Sequence, residues 1–254
     1  MEKAIFIMEM LFPPHCLFCG ELKPYREECP DCVELEKKYR ITGAERLNFK
    51  SSTRAVDKVS KVVSSYIYSE DTADMVARYK FQRHYSMGRE MAKIIGADIL
   101  EVFGEDCCDL VMPVPAFKRN DNRHSSLIAA RIAKILSRPC LDETLVKLSD
   151  TKPQHQLSSA ERSKNLSGVF SVNGAEKVKG KRVLLCDDVI TSGNTLNECA
   201  KALLKAGASE VIAATFSATA EIGKPAAGSK KEKSKKETAK KAPSAGKKNK
   251  AAKR

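Results

Sequence analysis

The sequence predicts an α/β fold, a parallel sheet with helices on both of its faces. Three observations carry this. Short apolar runs of strand character stand at 109–114 (DLVMPV), 182–186 (RVLLC) and 210–216 (EVIAATF). They are largely apolar rather than alternating, as strands buried on both faces are. Segments of helical period separate them, and strands alternating with helices imply parallel crossover units. With 254 residues, 42% of them hydrophobic, the chain has enough apolar surface for a core, which excludes a wholly disordered protein of one or two domains' length.

In chain order, residues 1–44 are kept irregular by Pro13, Pro14, Pro24 and Pro30 and are marked by four cysteines. Helices are expected over 72–81 and 88–103, with Met91, Ile94, Ile95 and Leu100 mostly on one face of the second. The run at 109–114 reads as a buried strand stopped by proline. A helix over 126–136 turns Leu127, Ile128, Ile132 and Ile135 inward. Strand 182–186 follows, then a helix over 195–206 ended by Gly207, then strand 210–216. Residues 221–254 have no apolar periodicity and are rich in Lys, Ala, Ser, Gly and Pro, so they are expected to be disordered. The expected domains are a cysteine module at 1–44, an α/β domain at 45–220 and a Lys-rich tail at 221–254.

The formal net charge of +13 is uneven. Residues 221–254 hold 13 Lys/Arg against 3 Asp/Glu, which leaves 32 basic and 29 acidic side chains in 1–220. The body is near neutral, so any binding of nucleic acid belongs to the tail; a solvated, solubilising extension is the other reading. No apolar run approaches the ~18–20 residues of a membrane helix. The best candidate, residues 4–12, carries Glu9 and leads into the cysteines rather than a cleavage site, so no span and no secretory signal are expected. The cytoplasm is the expected location, and no pattern specifies an oligomer.

The most informative stretch is 183–195, VLLCDDVITSGNT. Four apolar residues form a strand, Asp187 and Asp188 stand at its C-terminal end, and a short hydroxylated turn leads into a helix at about Thr195. Ligands of open parallel sheets bind outside the carboxyl ends of strands. Thr191, Ser192 and Thr195 supply hydroxyls. The amides of Ser192, Gly193, Asn194 and Thr195 open a helix and favour an anion. Gly193 permits positive φ and close approach of the backbone. Asp187 and Asp188 accept hydrogen bonds from a vicinal diol or hold Mg²⁺ through water. That chemistry suits a sugar phosphate; the alternative is that an aspartate merely caps the following helix.

Cys16-x-x-Cys19 and Cys29-x-x-Cys32 form two close pairs, while the other five of nine cysteines are scattered. Each pair offers two sulfurs to one ion at ~2.3 Å, and two pairs close a tetrahedron. Zinc is the expected ion, with an iron–sulfur cluster as the alternative. Four thiolates make a closed, structural site and leave His15 unneeded as a ligand. This layout suits a reducing compartment rather than a disulfide framework. In so short a module, metal binding supplies most of the folding energy.

All thirteen positions of 183–195 resemble the 5-phosphoribosyl-1-pyrophosphate (PRPP) signature of type I phosphoribosyltransferases. The resemblance implies that Asp187 and Asp188 meet the ribose hydroxyls, that Thr191 to Thr195 cradle the 5-phosphate, and that a carboxylate stabilises charge developing on the ribose. A Cys₄ module ahead of this motif is similar to the ComF family, phosphoribosyltransferase-like proteins associated with competence and DNA uptake. Leu11-Phe12-Pro13, Arg78-Tyr79-Lys80-Phe81, Met112-Pro113-Val114-Pro115, Thr151-x-Pro153-Gln154-x-x-Leu157 and Arg162-x-x-Asn165-x-x-Gly168-x-Phe170 are similar to further elements of that family. The implied architecture is a type I phosphoribosyltransferase-like parallel sheet flanked by helices, with a small N-terminal zinc-ribbon-like module.

By the same resemblance, Lys118 and Arg119 fall in a pyrophosphate loop where cations neutralise a leaving group; the other reading is a turn with solvated basic residues. Residues 149–168 are polar and Ser-rich, a flap over the site, in which Arg162 either meets a phosphate or is a plain surface arginine. Where the family has an Arg-Gly-aromatic-Asn-Gln run, this chain has Arg119-Asn120-Asp121-Asn122-Arg123-His124-Ser125. Two functions follow. One is an Mg²⁺-dependent phosphoribosyltransferase that passes the sugar to a nitrogen acceptor. The other is a non-catalytic PRPP- or nucleotide-sensing or DNA-uptake protein, to which the altered loop and the basic tail point.

Overall fold

The computed structural model describes residues 15–22, 29–43, 57–81, 85–117, 123–149 and 168–219. In order these form α1 (Val33–Tyr39), β1 (Val62–Tyr68), α2 (Glu70–Phe81), α3 (Tyr85–Phe103), β2 (Leu110–Pro113), α4 (Arg123–Ile135), β3 (Leu145–Lys147), β4 (Phe170–Val172), a 3₁₀ turn at Ala175–Lys177, β5 (Arg182–Ile190), α5 (Asn194–Lys205) and β6 (Glu210–Thr219). All of them fall within one unit, Met1–Lys224. The readings made for Lys118, Arg119, Arg162, Leu11-Phe12-Pro13, most of the 149–168 flap and the 221–254 tail lie outside the described residues.

Four strands make a fully parallel sheet in the order β1–β6–β5–β2, with Leu110 opposite Val183, Val183 opposite Val211 and Val62 opposite Ala213. β5 is internal, and its Val183, Leu184, Leu185 and Cys186 are fully buried, which explains the unbroken apolar run. Alternate side chains go to opposite faces. Leu184 and Cys186 pack with Met75, Tyr79, Met91, Ile95, Ile128 and Ile132 of α2, α3 and α4. Val183 and Leu185 pack with Leu196, Cys199 and Leu203 of α5. A helical layer thus covers each face. The N-terminal ends of β2 and β5 are clipped together by Asp109, which accepts from the Arg182 amide at 2.8 Å and from its guanidinium at 2.9 Å.

Several elements differ from the pattern-based expectation. β1 was not expected, because Ser64 and Ser65 interrupt its apolar run. Both are buried by pairing: Ser64 Oγ lies 2.6 Å from Thr215 Oγ1, and Ser65 donates to Asp98 at 2.7 Å. β3 and β4 form a separate antiparallel pair of three residues each, too short for a period to show. β5 does not stop at Cys186 but stays paired with β6 through Ile190. Ile128 and Ile132 are buried as expected, whereas Ile135 lies over Gly96 at the edge of the helix pair and remains 38% exposed. α2 opens on a reciprocal cap: Ser69 N–H donates to Thr72 Oγ1 at 2.6 Å and Thr72 N–H to Ser69 Oγ at 3.2 Å.

Candidate functional site

The carboxyl end of β5 brings Asp187, Asp188, Thr191, Ser192, Gly193, Asn194 and Thr195 together. Because β5 remains paired through Ile190, its alternation aims the two aspartates to opposite faces. Asp187 lines a cavity of about 180 Å³ with Ile190, Thr191, Ser192, Gly193 and Thr195. That volume suits a phosphate group and lies below the 300–1,000 Å³ of clefts that enclose whole drug-sized ligands.

The turn holds its shape through backbone geometry. Gly193 caps α5 at φ 75°, a left-handed conformation that glycine adopts without strain. Asn197 N–H donates to Gly193 O at 2.9 Å, and Thr219 Oγ1 donates to Thr191 O at 3.0 Å, tying the turn to the end of β6. α5 starts at Asn194, so its N-terminal end adjoins the cavity, which Gly193, Thr195 and Leu196 line. Ser192 Oγ is buried and has no hydrogen-bond partner among the described residues. A buried hydroxyl in that position is satisfied by a ligand that accepts from it.

Burial, then the neighbouring Asp188 charge, pushes the Asp187 carboxyl well above the usual carboxylate range, and Lys80 offsets this in part. A cation at the site reverses that balance. Asp188 accepts from Val189 N–H at 2.9 Å through Oδ1 and pairs with the Lys80 ammonium through Oδ2. Burial works against the Lys80 charge, but Asp188 outweighs it and holds the ammonium above its ordinary value. Burial and then Lys80 depress His124. Lys80 was not among the site residues read from sequence. Its run, Arg78 to Phe81, stood out only as a family-like element, and 108 positions separate it from Asp188.

The second cluster is the cysteine module. The sulfurs of Cys16, Cys19, Cys29 and Cys32 all lie within 4.8 Å of one another, and those of Cys19 and Cys29 are 3.8 Å apart. Four thiolates at about 2.3 Å from a tetrahedral ion stand about 3.8 Å from each other, so the donor set fits such an ion. Burial, followed by hydrogen bonds that its S–H makes to the neighbouring cysteines, pushes the Cys32 thiol up. Each pair sits in a tight turn: Gly20 N–H donates to Cys16 O at 2.9 Å and Cys32 N–H to Cys29 O at 3.0 Å. His15 stands outside the cluster, with Nδ1 3.1 Å from Ser86 Oγ.

This module is docked on the sheet. Phe18 meets Tyr66 of β1 edge-on at 5.8 Å, and Tyr66 packs against Phe216 of β6 at 4.9 Å with the rings tilted by 45°. Glu36 of α1 accepts from Tyr66 Oη at 2.9 Å. Arg40, just past α1, grips Asp98 of α3 with two bonds of 2.7 and 2.6 Å. No helix among the described residues is long and apolar enough to cross a membrane.

A family model described as "Phosphoribosyl transferase domain" matches residues 122–249. "Competence protein F" of Haemophilus influenzae is 27% identical over 207 residues, 78% of this chain and 82% of that protein. "DNA utilization protein YhgH" of Salmonella typhimurium is 28% identical over 158 residues, 59% of this chain and 69% of that protein. Among solved structures, the glutamine PRPP amidotransferase of B. subtilis matches with a TM-score of 0.35 and 23% identity over 52% of this chain, which spans 26% of that protein.

Proposed function

Because the chain belongs to the phosphoribosyl transferase domain family, and within it to the ComF family, we propose that it binds PRPP with Mg²⁺ at the end of β5 and transfers the phosphoribosyl group to a nitrogen acceptor. The observation that carries this is the buried, partnerless Ser192 hydroxyl, which shares one cavity with Asp187 at the N-terminus of α5.

In this reading the amides of Ser192 to Thr195 and the hydroxyls of Thr191, Ser192 and Thr195 hold the 5-phosphate. Asp187 and Asp188 accept from the ribose hydroxyls. Bound Mg²⁺ supplies positive charge that lets pyrophosphate leave. The acceptor nitrogen forms a bond to the anomeric carbon as the bond to the pyrophosphate oxygen breaks, and that oxygen takes the electron pair. One of these carboxylates, Asp187 that lines the cavity, stabilises the positive charge that the ribose carries at that point. Lys118, Arg119 and Arg162 are the proposed contacts to the phosphates. The four module cysteines hold a structural Zn²⁺, within a division into module 1–44, transferase domain 45–220 and tail 221–254. Two C-x-x-C pairs with the other five cysteines scattered, the layout of a metal site rather than of a disulfide framework, support a cytoplasmic location.

The experiment is PRPP-dependent pyrophosphate release across a panel of nitrogen nucleophiles, comparing wild type with an Asp187→Ala/Asp188→Ala variant. Release by wild type alone bears the reading out. PRPP binding without release by any acceptor favours a second reading, a sensor or DNA-uptake accessory. The names of the two relatives and the net charge of +10 in 221–254 favour that role. Its mark is sequence-independent, steeply salt-dependent nucleic-acid binding that disappears with the tail.

A further inference from the structure

Three consecutive residues of α2 hold three separate parts of the molecule. Arg78 Nη2 donates to the carbonyl oxygens of Leu17, at 3.1 Å, and Phe18, the two residues between Cys16 and Cys19. Tyr79 Oη donates to His124 O at 2.8 Å, its ring meets the His124 imidazole edge-on at 5.1 Å, and it lies directly over Gly88. Lys80 pairs with Asp188. Successive helical residues point about 100° apart, so one turn of helix reaches the cysteine module, the start of α4 and the end of β5 at once.

We propose that Arg78, Tyr79 and Lys80 form a positioning element through which the Cys₄ module sets the ionic partner of Asp188. A metal-filled module fixes the Leu17 and Phe18 carbonyls, these fix Arg78, and the last turn of α2 then holds Lys80 on Asp188. The Lys80 charge keeps two adjacent carboxylates compatible and adds a cation near a highly anionic ligand. Arg78 and Tyr79 act through Lys80 and touch no ligand. The consequence for sugar-phosphate binding rests on the proposed PRPP site; the mechanical link between module and Asp188 does not.

The test uses the full zinc-loaded chain with a zinc-selective chelator in excess Mg²⁺, and reads both amide hydrogen exchange and PRPP–Mg²⁺ affinity. Extracting zinc is expected to speed exchange at 76–81 and 187–190 and to weaken PRPP–Mg²⁺ at least about fivefold. By linkage, PRPP–Mg²⁺ then makes zinc harder to extract by the same factor. Zinc-loaded Arg78→Ala is expected to keep its metal content, show the faster exchange, bind PRPP–Mg²⁺ as weakly as the stripped wild type and no longer respond to zinc. Lys80→Ala weakens binding with metal content unchanged, and Lys80→Arg restores it. Exchange at 76–81 and 187–190 that ignores zinc, or an Arg78→Ala chain that binds like wild type, overturns the proposal. If no form binds PRPP–Mg²⁺, the reading of the site falls, and exchange at 187–190 alone decides the coupling.

Discussion

Asp187 and Asp188 are sequence neighbours that face opposite sides of the sheet: Asp187 lines the cavity beside α5, and Asp188 meets Lys80 of α2 on the other face. The split follows from β5 continuing as a paired strand through Ile190. It gives the two carboxylates different surroundings. Asp188 is buried with a cation and a backbone amide as partners, whereas Asp187 is half-buried at the cavity and accepts from the Asp188 amide at 2.9 Å.

Asp187 therefore costs stability when ionised. Its pKa is raised in the folded chain, first by burial and then by Asp188, from an ordinary value of 3.8. As pH rises past about 4 the unfolded chain releases this proton before the native one does, so native stability falls until the raised pKa is passed. Asp187→Asn is expected to raise Tm of the ligand-free protein at neutral pH, with the gain vanishing near pH 4. Thermal unfolding across that range checks it, and a pH-independent gain contradicts the assignment.

At Gly88 of α3 the Tyr79 ring of α2 packs directly against the backbone. A Cβ there would stand 2.6 Å from Tyr79 Cε2. Gly88→Ala is expected to displace the ring, loosen its bond to His124 O and destabilise the fold by about 1–3 kcal/mol. Urea unfolding reads this as a lower midpoint at unchanged slope.

The Arg40–Asp98 pair anchors α1 to α3, with the Arg40 side chain 20% exposed and that of Asp98 1%. Arg40→Ala removes the cation paired with a buried carboxylate and is expected to cost about 3–5 kcal/mol. Arg40→Lys keeps the charge but not the two-pronged geometry and is expected to fall between the two. Equal stability of all three forms in denaturant would show that the pair contributes nothing.

Metal removal is expected to reach past the cysteine module, because Cys16, Leu17, Phe18 and Cys32 belong to the same buried cluster as Tyr66 and Phe216. Cys32→Ser is expected to lose the ion and lower Tm by at least about 5 °C, on the order of 2 kcal/mol for a domain of this size. Metal content and Tm measured on the same sample decide it.

The parallel sheet and the anion-binding turn were legible because each is written in a contiguous run: an apolar strand, paired acids, then hydroxyls and glycine over 183–195. The Cys₄ site was legible from spacing alone. β1 was not, because its serines are buried through partners far along the chain, Thr215 and Asp98. Lys80 was missed for the same reason: its role depends on a charge that only the sheet topology brings to it. The extension of β5 to Ile190 was hidden because polar residues at a strand's end resemble a loop until their pairing with β6 is seen.

Calorimetric titration of PRPP with Mg²⁺ into the zinc-loaded chain tests whether the end of β5 is a PRPP–Mg²⁺ site. Wild type is expected to bind with micromolar affinity and the Asp187→Ala/Asp188→Ala variant, folded and zinc-loaded, to show none. No heat from a folded, zinc-loaded wild type, or equal binding by both chains, would contradict the assignment of the site.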